Sequence, residues 1–218
     1  MLYKFIKRTF DIVASIMAIG VFLLPWLVIS LIIKLQSPGP VIYKAVRVGL
    51  DGKKFTLYKF RTMCVDSGEI RATTLRTDTR VFSFGKFLRK SKLDETPQLL
   101  NILKGDMSVI GPRPEDEKNK DIFSGRYEKI LSVRPGLSSP ASLYDYTHGE
   151  LCENEYEYTH KFLPQKLELE LYYIEHRSCW YDLSIVVKTV VIIVAIMLGK
   201  KSFPYPKELL EICPEKTK

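Results

Sequence analysis

The sequence contains few of the residue types that carry metal, redox or disulfide chemistry. Its 218 residues include 4 cysteines and 3 histidines, and no two cysteines form a C-x-x-C pair. The H-E-x-x-H, G-x-G-x-x-G and G-x-x-x-x-G-K-[ST] motifs are absent too. These absences argue against structural zinc, disulfide frameworks, P-loop NTPases and dinucleotide dehydrogenases, and they suit a reducing compartment.

Disorder and low complexity are excluded by what the chain does contain. Hydrophobic residues make up 46% of the sequence, which is ample for a folded core, and glycine and proline number only 12 each. The formal net charge is +8. An excess of positive charge of this size predicts anionic partners, namely nucleic acid, phospholipid headgroups or phosphorylated substrates.

The hydrophobicity is concentrated in one run, residues 12–33, which contains no charged side chain. As a helix this run would be about 33 Å long, enough to cross a bilayer core of ~30 Å. Pro25 lies near its middle, where the missing N–H and the ring predict a kink or a break. Two topologies stay open: a single-pass anchor, or a helix-break-helix hairpin that enters and leaves the membrane by the same face.

Cations flank this run on both sides and therefore give no inside–outside asymmetry, which favours the re-entrant hairpin. Lys7 and Arg8 precede the run, whereas Lys34 and Arg47 follow it. We expect Lys7 and Arg8 to meet anionic lipid headgroups, each contributing on the order of 1 kcal/mol.

The remaining pattern predicts a mainly α fold with a small β-hairpin, the hairpin falling within 41–60. A polar loop is expected at 64–80, and helices at 81–90, 97–104, 115–131 and 163–177. The apolar run 183–198 contains Lys188 and is short for a membrane span, so an interfacial helix, a core helix and a strand remain possible. The expected organisation is a membrane helix with its basic flank (1–38), a cytoplasmic catalytic domain (39–182), and an apolar interfacial segment with a polar tail (183–218).

Two adjacent carboxylates, Asp94 and Glu95, precede a predicted helix start and stand among cations. Arg89, Lys90 and Lys92 lie just before them. Because a helix N-terminus offers free N–H groups and a positive dipole end, it can seat a phosphate. An ionised carboxylate there can act as a nucleophile or a Mg²⁺ ligand, although acidic residues at this position also serve simply as helix caps.

Three further cations are candidates for phosphate binding. Arg113 stands between two prolines, so that its planar guanidinium is presented from a stiff loop and suits phosphate oxygens. Lys59 and Arg61 form a basic pair at the end of a strand-like run. They are expected either to contact substrate phosphate or lipid headgroups, or to form an ordinary surface edge.

Several blocks of the sequence, in order, resemble the bacterial sugar transferases that move a sugar-1-phosphate from a nucleotide sugar onto polyprenyl phosphate. A set of matching blocks is specific in a way that one block would not be. They include Ser37-Pro38-Gly39-Pro40, Phe55-Thr56-Leu57-Tyr58-Lys59-Phe60-Arg61, Leu93-Asp94-Glu95, Leu103-Lys104-Gly105-Asp106-Met107-Ser108, Gly111-Pro112-Arg113-Pro114 and Arg134-Pro135-Gly136.

The resemblance implies a monotopic enzyme on the cytoplasmic face of a bacterial inner membrane. Asp94 would attack a UDP-sugar, release UMP and hold a covalent phospho-sugar, which undecaprenyl phosphate would then accept. Glu95 would assist, Asp94 would ligate Mg²⁺, and Arg89 and Arg113 would hold phosphate oxygens. The reaction would open a pathway to a capsule, O-antigen, exopolysaccharide or glycoprotein, with downstream glycosyltransferases as further partners.

Two other classes of protein are less consistent with these features. A non-catalytic membrane scaffold of a glycan assembly complex would tolerate the loss of Asp94, yet Asp94, Glu95, Arg89 and Arg113 are all present. A membrane-tethered nucleic-acid-binding protein would explain the net charge. The apolar run disfavours it, so we expect no nucleic-acid partner.

Overall fold

The computed structural model describes residues 2–65, 80–149 and 155–213. Most of the loop expected at 64–80 lies outside these ranges. The strands are β1 (Ile42–Val48), β2 (Lys54–Phe60), β3 (Ser108–Ile110) and β4 (Gly136–Ser138). The helices are α1 (Leu2–Gln36), α2 (Ser83–Ser91), α3 (Leu99–Lys104), α4 (Pro140–His148), α5 (Glu155–Glu157), α6 (Leu163–His176), α7 (Cys179–Met197) and α8 (Lys207–Ile212). The described chain is therefore mainly helical with small sheets, as predicted.

Helix α1 continues without interruption through Pro25. The predicted break at Pro25 is therefore absent from the secondary structure, while the choice between a re-entrant and a spanning α1 stays a prediction. A proline removes only one hydrogen bond from a helix interior. On either side of it, Phe22 and Ile29 pack into hydrophobic clusters of the domain, so tertiary contacts hold the helix together across that gap.

One face of α1 contacts the rest of the protein along nearly the whole helix. Close to its start, Tyr3 donates a hydrogen bond to Asp182 of α7. Farther on, Asp11 accepts hydrogen bonds from the Ser108 hydroxyl and the Val109 N–H. Near its end, Ile33 is fully buried. The opposite face is apolar and exposed, with Phe5, Ile16, Met17, Val21, Leu24, Leu27, Leu31 and Leu35 among its side chains.

Lys7 and Arg8, which are expected to meet lipid headgroups, both have partners inside the protein, and their contact with headgroups stays a prediction. The Lys7 ammonium lies 2.7 Å from a carboxylate oxygen of Asp182. The Arg8 guanidinium donates to the carbonyls of Ile102 and Leu103, at 2.7 and 3.1 Å, in the last turn of α3. Both residues fix α1 to the domain, and Arg8 satisfies carbonyls that a helix end leaves unpaired.

The predicted hairpin is confirmed. Strands β1 and β2 pair antiparallel from Ile42 opposite Phe60 to Val48 opposite Lys54. The buried Asn101 of α3 fixes the hairpin from the side, since its amide donates to the Thr56 carbonyl and its oxygen accepts the Tyr58 N–H.

The largest hydrophobic cluster lies around α6, where the prediction of an amphipathic helix is confirmed. Leu167, Leu171 and Ile174 are buried there against Ile110 of β3 and Leu143 of α4. Strand β3 pairs in parallel with β4. The segment predicted as one helix over 115–131 instead forms two 3₁₀ segments, Glu117–Phe123 and Gly125–Ser132.

The apolar run near the end of the chain is helix α7, so the strand alternative is wrong. The Ser178 hydroxyl caps its start by accepting the Tyr181 N–H. By length and composition, α1 and α7 could each cross a membrane, and the apolar part of each is mostly exposed. The tail predicted to be polar contains α8, whose Leu209 is fully buried.

Candidate active site

The two adjacent carboxylates lie on a 3₁₀ segment, Leu93–Gln98, which we call the acidic turn. Only its last two residues, Pro97 and Gln98, fall within the helix predicted at 97–104, and α3 begins at Leu99. Lys92, just before the turn, has a left-handed backbone with a φ of 56°. That conformation costs a non-glycine residue on the order of 1 kcal/mol or more, so surrounding contacts must hold it. One of them is the Lys92 ammonium, 3.9 Å from the centre of the Tyr146 ring.

Glu95 is ion-paired with Arg113. The Arg113 guanidinium donates to both carboxylate oxygens, at 2.7 and 3.4 Å. Burial by itself would raise the pKa of Glu95, but the Arg113 charge prevails and lowers the pKa to about 2. Glu95 is therefore a fixed anion whose charge is matched by a partner, and it serves poorly as a proton carrier near neutral pH.

Asp94 is equally buried, yet its Oδ1 atom has no hydrogen-bond partner. Burial and the neighbouring Glu95 charge raise the pKa of Asp94 to about 6, against the opposing effect of Lys59, Lys92 and Arg89. A buried polar atom without a partner is destabilising and rare in native proteins, so such an atom calls for an explanation. Ser15 Oγ and Glu170 Oε2 are also buried without a partner, but Asp94 differs in lying near Lys59, Lys92 and Arg89, which makes it the candidate reactive carboxylate of the site.

Lys59 and Arg89 contribute positive charge near the carboxylates; the sequence predicted this for Arg89 but not for Lys59. Burial lowers the pKa of Lys59, and its charge interacts with those of Asp94 and Glu95. Arg89 donates from Nε to the Thr62 hydroxyl at 2.9 Å. Helix α2 reaches this position because Gly85 lies against the Thr62 backbone, where a Cβ atom would come within 2.3 Å of the carbonyl oxygen.

Arg61 has a different role from the one predicted. Its side chain is buried and donates four hydrogen bonds, to the Pro40 carbonyl, the Ser37 hydroxyl and carbonyl, and the Met63 carbonyl. These bonds join the end of β2 to the segment after α1. Because four of its five N–H donors are bonded within the protein, Arg61 has little capacity left to bind a phosphate.

Sequence reasoning missed the support behind Arg113. The Glu170 carboxylate accepts the Arg113 backbone N–H at 2.9 Å and the Ser139 hydroxyl at 2.8 Å. Burial raises the pKa of Glu170 to about 7. The signal was available, since Glu170 is a charged residue on the apolar face of α6, next to Leu167 and Leu171 in helical spacing.

Asp94 is the residue best suited to hold a magnesium ion. Within residues 2–65, 80–149 and 155–213, no three His, Cys, Asp or Glu side chains form a metal-binding cluster. Protein Mg²⁺ sites often use only one or two carboxylates, with substrate phosphates and water as the other ligands. The unpartnered Oδ1 of Asp94 fits that requirement, whereas both oxygens of Glu95 already accept hydrogen bonds from Arg113.

The sequence model of one protein family, the bacterial sugar transferases, matches residues 2–196, which include the acidic turn, Arg113 and Glu170. The chain belongs to the bacterial sugar transferase family. The match therefore covers α1, nearly all of α7 and the candidate site together, and α8 lies beyond the matched range.

Individual sugar transferases agree with this assignment. The chain is 41% identical over 195 residues to a UDP-N-acetylgalactosamine-undecaprenyl-phosphate N-acetylgalactosaminephosphotransferase of Aeromonas hydrophila. It is 38% identical over 188 residues to a UDP-glucose:undecaprenyl-phosphate glucose-1-phosphate transferase of Caulobacter vibrioides. These alignments cover 87% and 84% of this chain but 44% and 68% of the two relatives, so the chain spans under half the length of the first. The uncharacterised sugar transferase EpsL of Bacillus subtilis is 35% identical over 185 residues, with 85% of each chain covered.

Proposed function

We propose that this protein transfers a sugar-1-phosphate from a UDP-sugar to undecaprenyl phosphate or a similar polyprenyl phosphate. The observation that carries the proposal is the unpartnered, buried Oδ1 of Asp94 among three cations, beside a Glu95 whose charge Arg113 already balances. The activities of the two transferases from Aeromonas hydrophila and Caulobacter vibrioides supply the classes of donor and acceptor.

In the first step, the ionised Asp94 carboxylate attacks the phosphorus that bears the sugar. A bond forms between a carboxylate oxygen and phosphorus while the bond to the bridging oxygen breaks, and UMP leaves with that electron pair. The product is a phospho-sugar on Asp94. Covalent catalysis of this kind lets one pocket serve two large substrates in turn.

In the second step, a phosphate oxygen of the polyprenyl phosphate attacks the same phosphorus. The bond to Asp94 breaks, the carboxylate is regenerated, and the lipid diphosphate-sugar leaves. No proton needs to be stored on Glu95 in either step, which is consistent with its low pKa.

The cations of the site oppose the repulsion between an anionic nucleophile and an anionic diphosphate. Lys59 and Arg89 act on the Asp94 side. Arg113 holds Glu95 and keeps part of its guanidinium exposed, so its remaining N–H groups can reach a phosphate oxygen. Bound Mg²⁺, held by Asp94, would supply further neutralisation of the diphosphate charge.

A lipid acceptor requires the site to reach the membrane surface. The exposed apolar faces of α1 and α7 provide a surface that can enter a lipid leaflet. Because the inner face of α1 contacts the domain from Tyr3 to Ile33, we propose that α1 is re-entrant or lies in one leaflet and does not cross the bilayer. We place the protein on the cytoplasmic face of the bacterial inner membrane, at the first membrane step of a glycan pathway.

The decisive experiment is UMP release from a panel of UDP-sugars by the purified protein with Mg²⁺ and undecaprenyl phosphate. We expect release with at least one donor and none from Asp94→Asn. Asp121→Asn, which removes an exposed carboxylate, is the matched control and should keep full activity. Equal release by wild type and Asp94→Asn would overturn the role of Asp94, and no release with any donor would favour the scaffold alternative.

A further inference from the structure

Trp26 of α1 is joined to the acidic turn by a side-chain hydrogen bond. Its indole Nε1 donates a hydrogen bond of 2.8 Å to the Thr96 hydroxyl. Thr96 in turn donates to the Leu93 carbonyl at 2.8 Å. The Thr96 hydroxyl therefore uses its one proton for a hydrogen bond within the acidic turn. A lone pair on the same oxygen accepts the indole N–H of Trp26.

The Trp26 ring is itself held firmly. It packs edge-on against the buried Phe60, with ring centres 6.3 Å apart. It belongs to two hydrophobic clusters, one with Leu88 of α2 and the other with Leu99 and Ile102 of α3. Because side chains packed on both sides restrict the Trp26 ring, its indole N–H can hold the Thr96 hydroxyl in one place.

The neighbours of Trp26 on α1 point the other way. Leu23, Leu24 and Leu27 are more than half exposed, on the apolar face that we propose enters the lipid. Trp26 is thus the inward-pointing residue of an outward-facing stretch of α1. It lies directly after Pro25, so any bend at the proline changes where the indole points.

We infer that Trp26 is a positioning residue, which holds the acidic turn, and through it the Asp94 carboxylate, by way of the Thr96 hydroxyl. The inference rests on the proposed function, since its activity readout is the transfer reaction. It gives α1 a second role beside anchoring. The hydrogen bond from Trp26 to Thr96 links the position of this helix to the position of the Asp94 carboxylate.

The test compares Trp26→Phe, Thr96→Val and the double variant with wild type. Misplacement of a catalytic group can lower kcat by about tenfold to a hundredfold. We expect each single variant to lose kcat within that range. The KM for the UDP-sugar should change by less than about twofold, because the donor contacts are not removed. The double variant should be no slower than the slower single variant, since both remove the same link.

Two controls separate positioning from general damage. Thr96→Ser keeps the hydroxyl and should restore kcat close to wild type. Tyr127→Phe removes a hydrogen bond of the same 2.8 Å length, from Tyr127 to Glu168, at another partly buried aromatic residue, and it should keep kcat. Single-turnover UMP release without acceptor counts active sites, so a positioning defect lowers its rate but not its amplitude.

Hydrogen exchange supplies a readout that does not depend on activity. Amides of the acidic turn should exchange faster in Trp26→Phe than in Tyr127→Phe or wild type. If wild type releases no UMP, the proposed function fails, and this exchange measurement still decides whether Trp26 orders the turn. The inference is overturned by turn exchange equal to wild type, by strictly additive kcat losses, or by an unchanged kcat in Trp26→Phe.

Discussion

Glu95 and Arg113 are 18 positions apart in the sequence and joined by two hydrogen bonds, of 2.7 and 3.4 Å. The pair neutralises one of two adjacent carboxylates and leaves the Asp94 Oδ1 without a partner. Neighbouring carboxylates with pKa values shifted in opposite directions are characteristic of sites where the two groups have different tasks.

The first prediction concerns the geometry of that pair. Arg113→Lys keeps the charge but loses the planar fork, so Glu95 stays buried with an incomplete partner. We expect kcat to fall by about a hundredfold and the free energy of unfolding to fall by about 1–3 kcal/mol. Steady-state kinetics and thermal unfolding measure both effects. Arg126→Lys, in a more exposed ion pair with Glu168, is the control and should change stability by less than about 1 kcal/mol. Equal losses in the two variants would contradict the prediction.

The second prediction is the pH dependence of kcat/KM. Asp94 reacts as the carboxylate, and its pKa is raised to about 6, so activity should be low at pH 5, rise through pH 6 and level off above pH 7. The pKa of Glu170 is also raised, to about 7, so the experiment must distinguish the titration of Glu170 from that of Asp94. Glu170→Gln keeps an acceptor oxygen for the Arg113 N–H and should leave the limb near pH 6 in place. A limb abolished by Glu170→Gln would refute the assignment to Asp94, whereas a limb that moves below pH 6 as the Mg²⁺ concentration rises is the effect of a cation bound to that carboxylate.

The third prediction is that Asp94→Asn stabilises the fold while it abolishes turnover. A carboxyl whose pKa is raised on folding is penalised wherever it is ionised, above about pH 6, and is not penalised well below pH 4. At about 1.4 kcal/mol per pKa unit, the free energy of unfolding of Asp94→Asn at pH 8 should exceed that of wild type by at most about 3 kcal/mol. Unfolding in EDTA without donor, at pH 8 and pH 4, measures it. Asp121→Asn should show no such pH-dependent gain, and destabilisation of Asp94→Asn at pH 8 would disprove the penalty.

The fourth prediction separates two neighbouring cations on one strand end. Lys59→Gln should lower kcat/KM by about tenfold or more, because it removes charge beside Asp94. Arg61→Gln should lower the free energy of unfolding by about 2 kcal/mol or more, because it leaves buried carbonyls without donors. Its KM for the donor should stay the same in the folded fraction. A changed KM for the donor in Arg61→Gln would show that Arg61 contributes to substrate binding.

The fifth prediction concerns the topology of α1. We expect cysteines introduced at Lys4 and Gln36, in a chain freed of its own cysteines, to be labelled from the same side of the membrane by an impermeant maleimide. Both positions are exposed, near opposite ends of a helix whose inner face contacts the domain throughout. Labelling of the two positions from opposite sides would show that α1 spans the bilayer.

Much of the local structure could be predicted from the sequence because it depends on near neighbours. Alternation and turn residues located the β1–β2 hairpin, and helical spacing located α2 and α6. The adjacent Asp94 and Glu95 among cations identified the candidate site, because clustered charges of both signs are visible along the chain.

The roles of single charged residues were decided only by the tertiary structure. Lys59 and Arg61 are two positions apart and look alike in the sequence, yet the charge of Lys59 interacts with those of the two carboxylates, whereas Arg61 is hydrogen-bonded to the segment after α1. Arg8 caps α3, and Glu170 supports Arg113 from a helix 57 positions away.

The sequence by itself determined the apolar helix, the hairpin and the pair of carboxylates, since periodicity and composition act over short distances. Only the tertiary structure decided which carboxylate is neutralised, which cations face the site and which residue of α1 reaches the acidic turn. Those outcomes depend on which distant side chains are buried together, because burial sets both the strength of a charge interaction and the penalty for a missing partner.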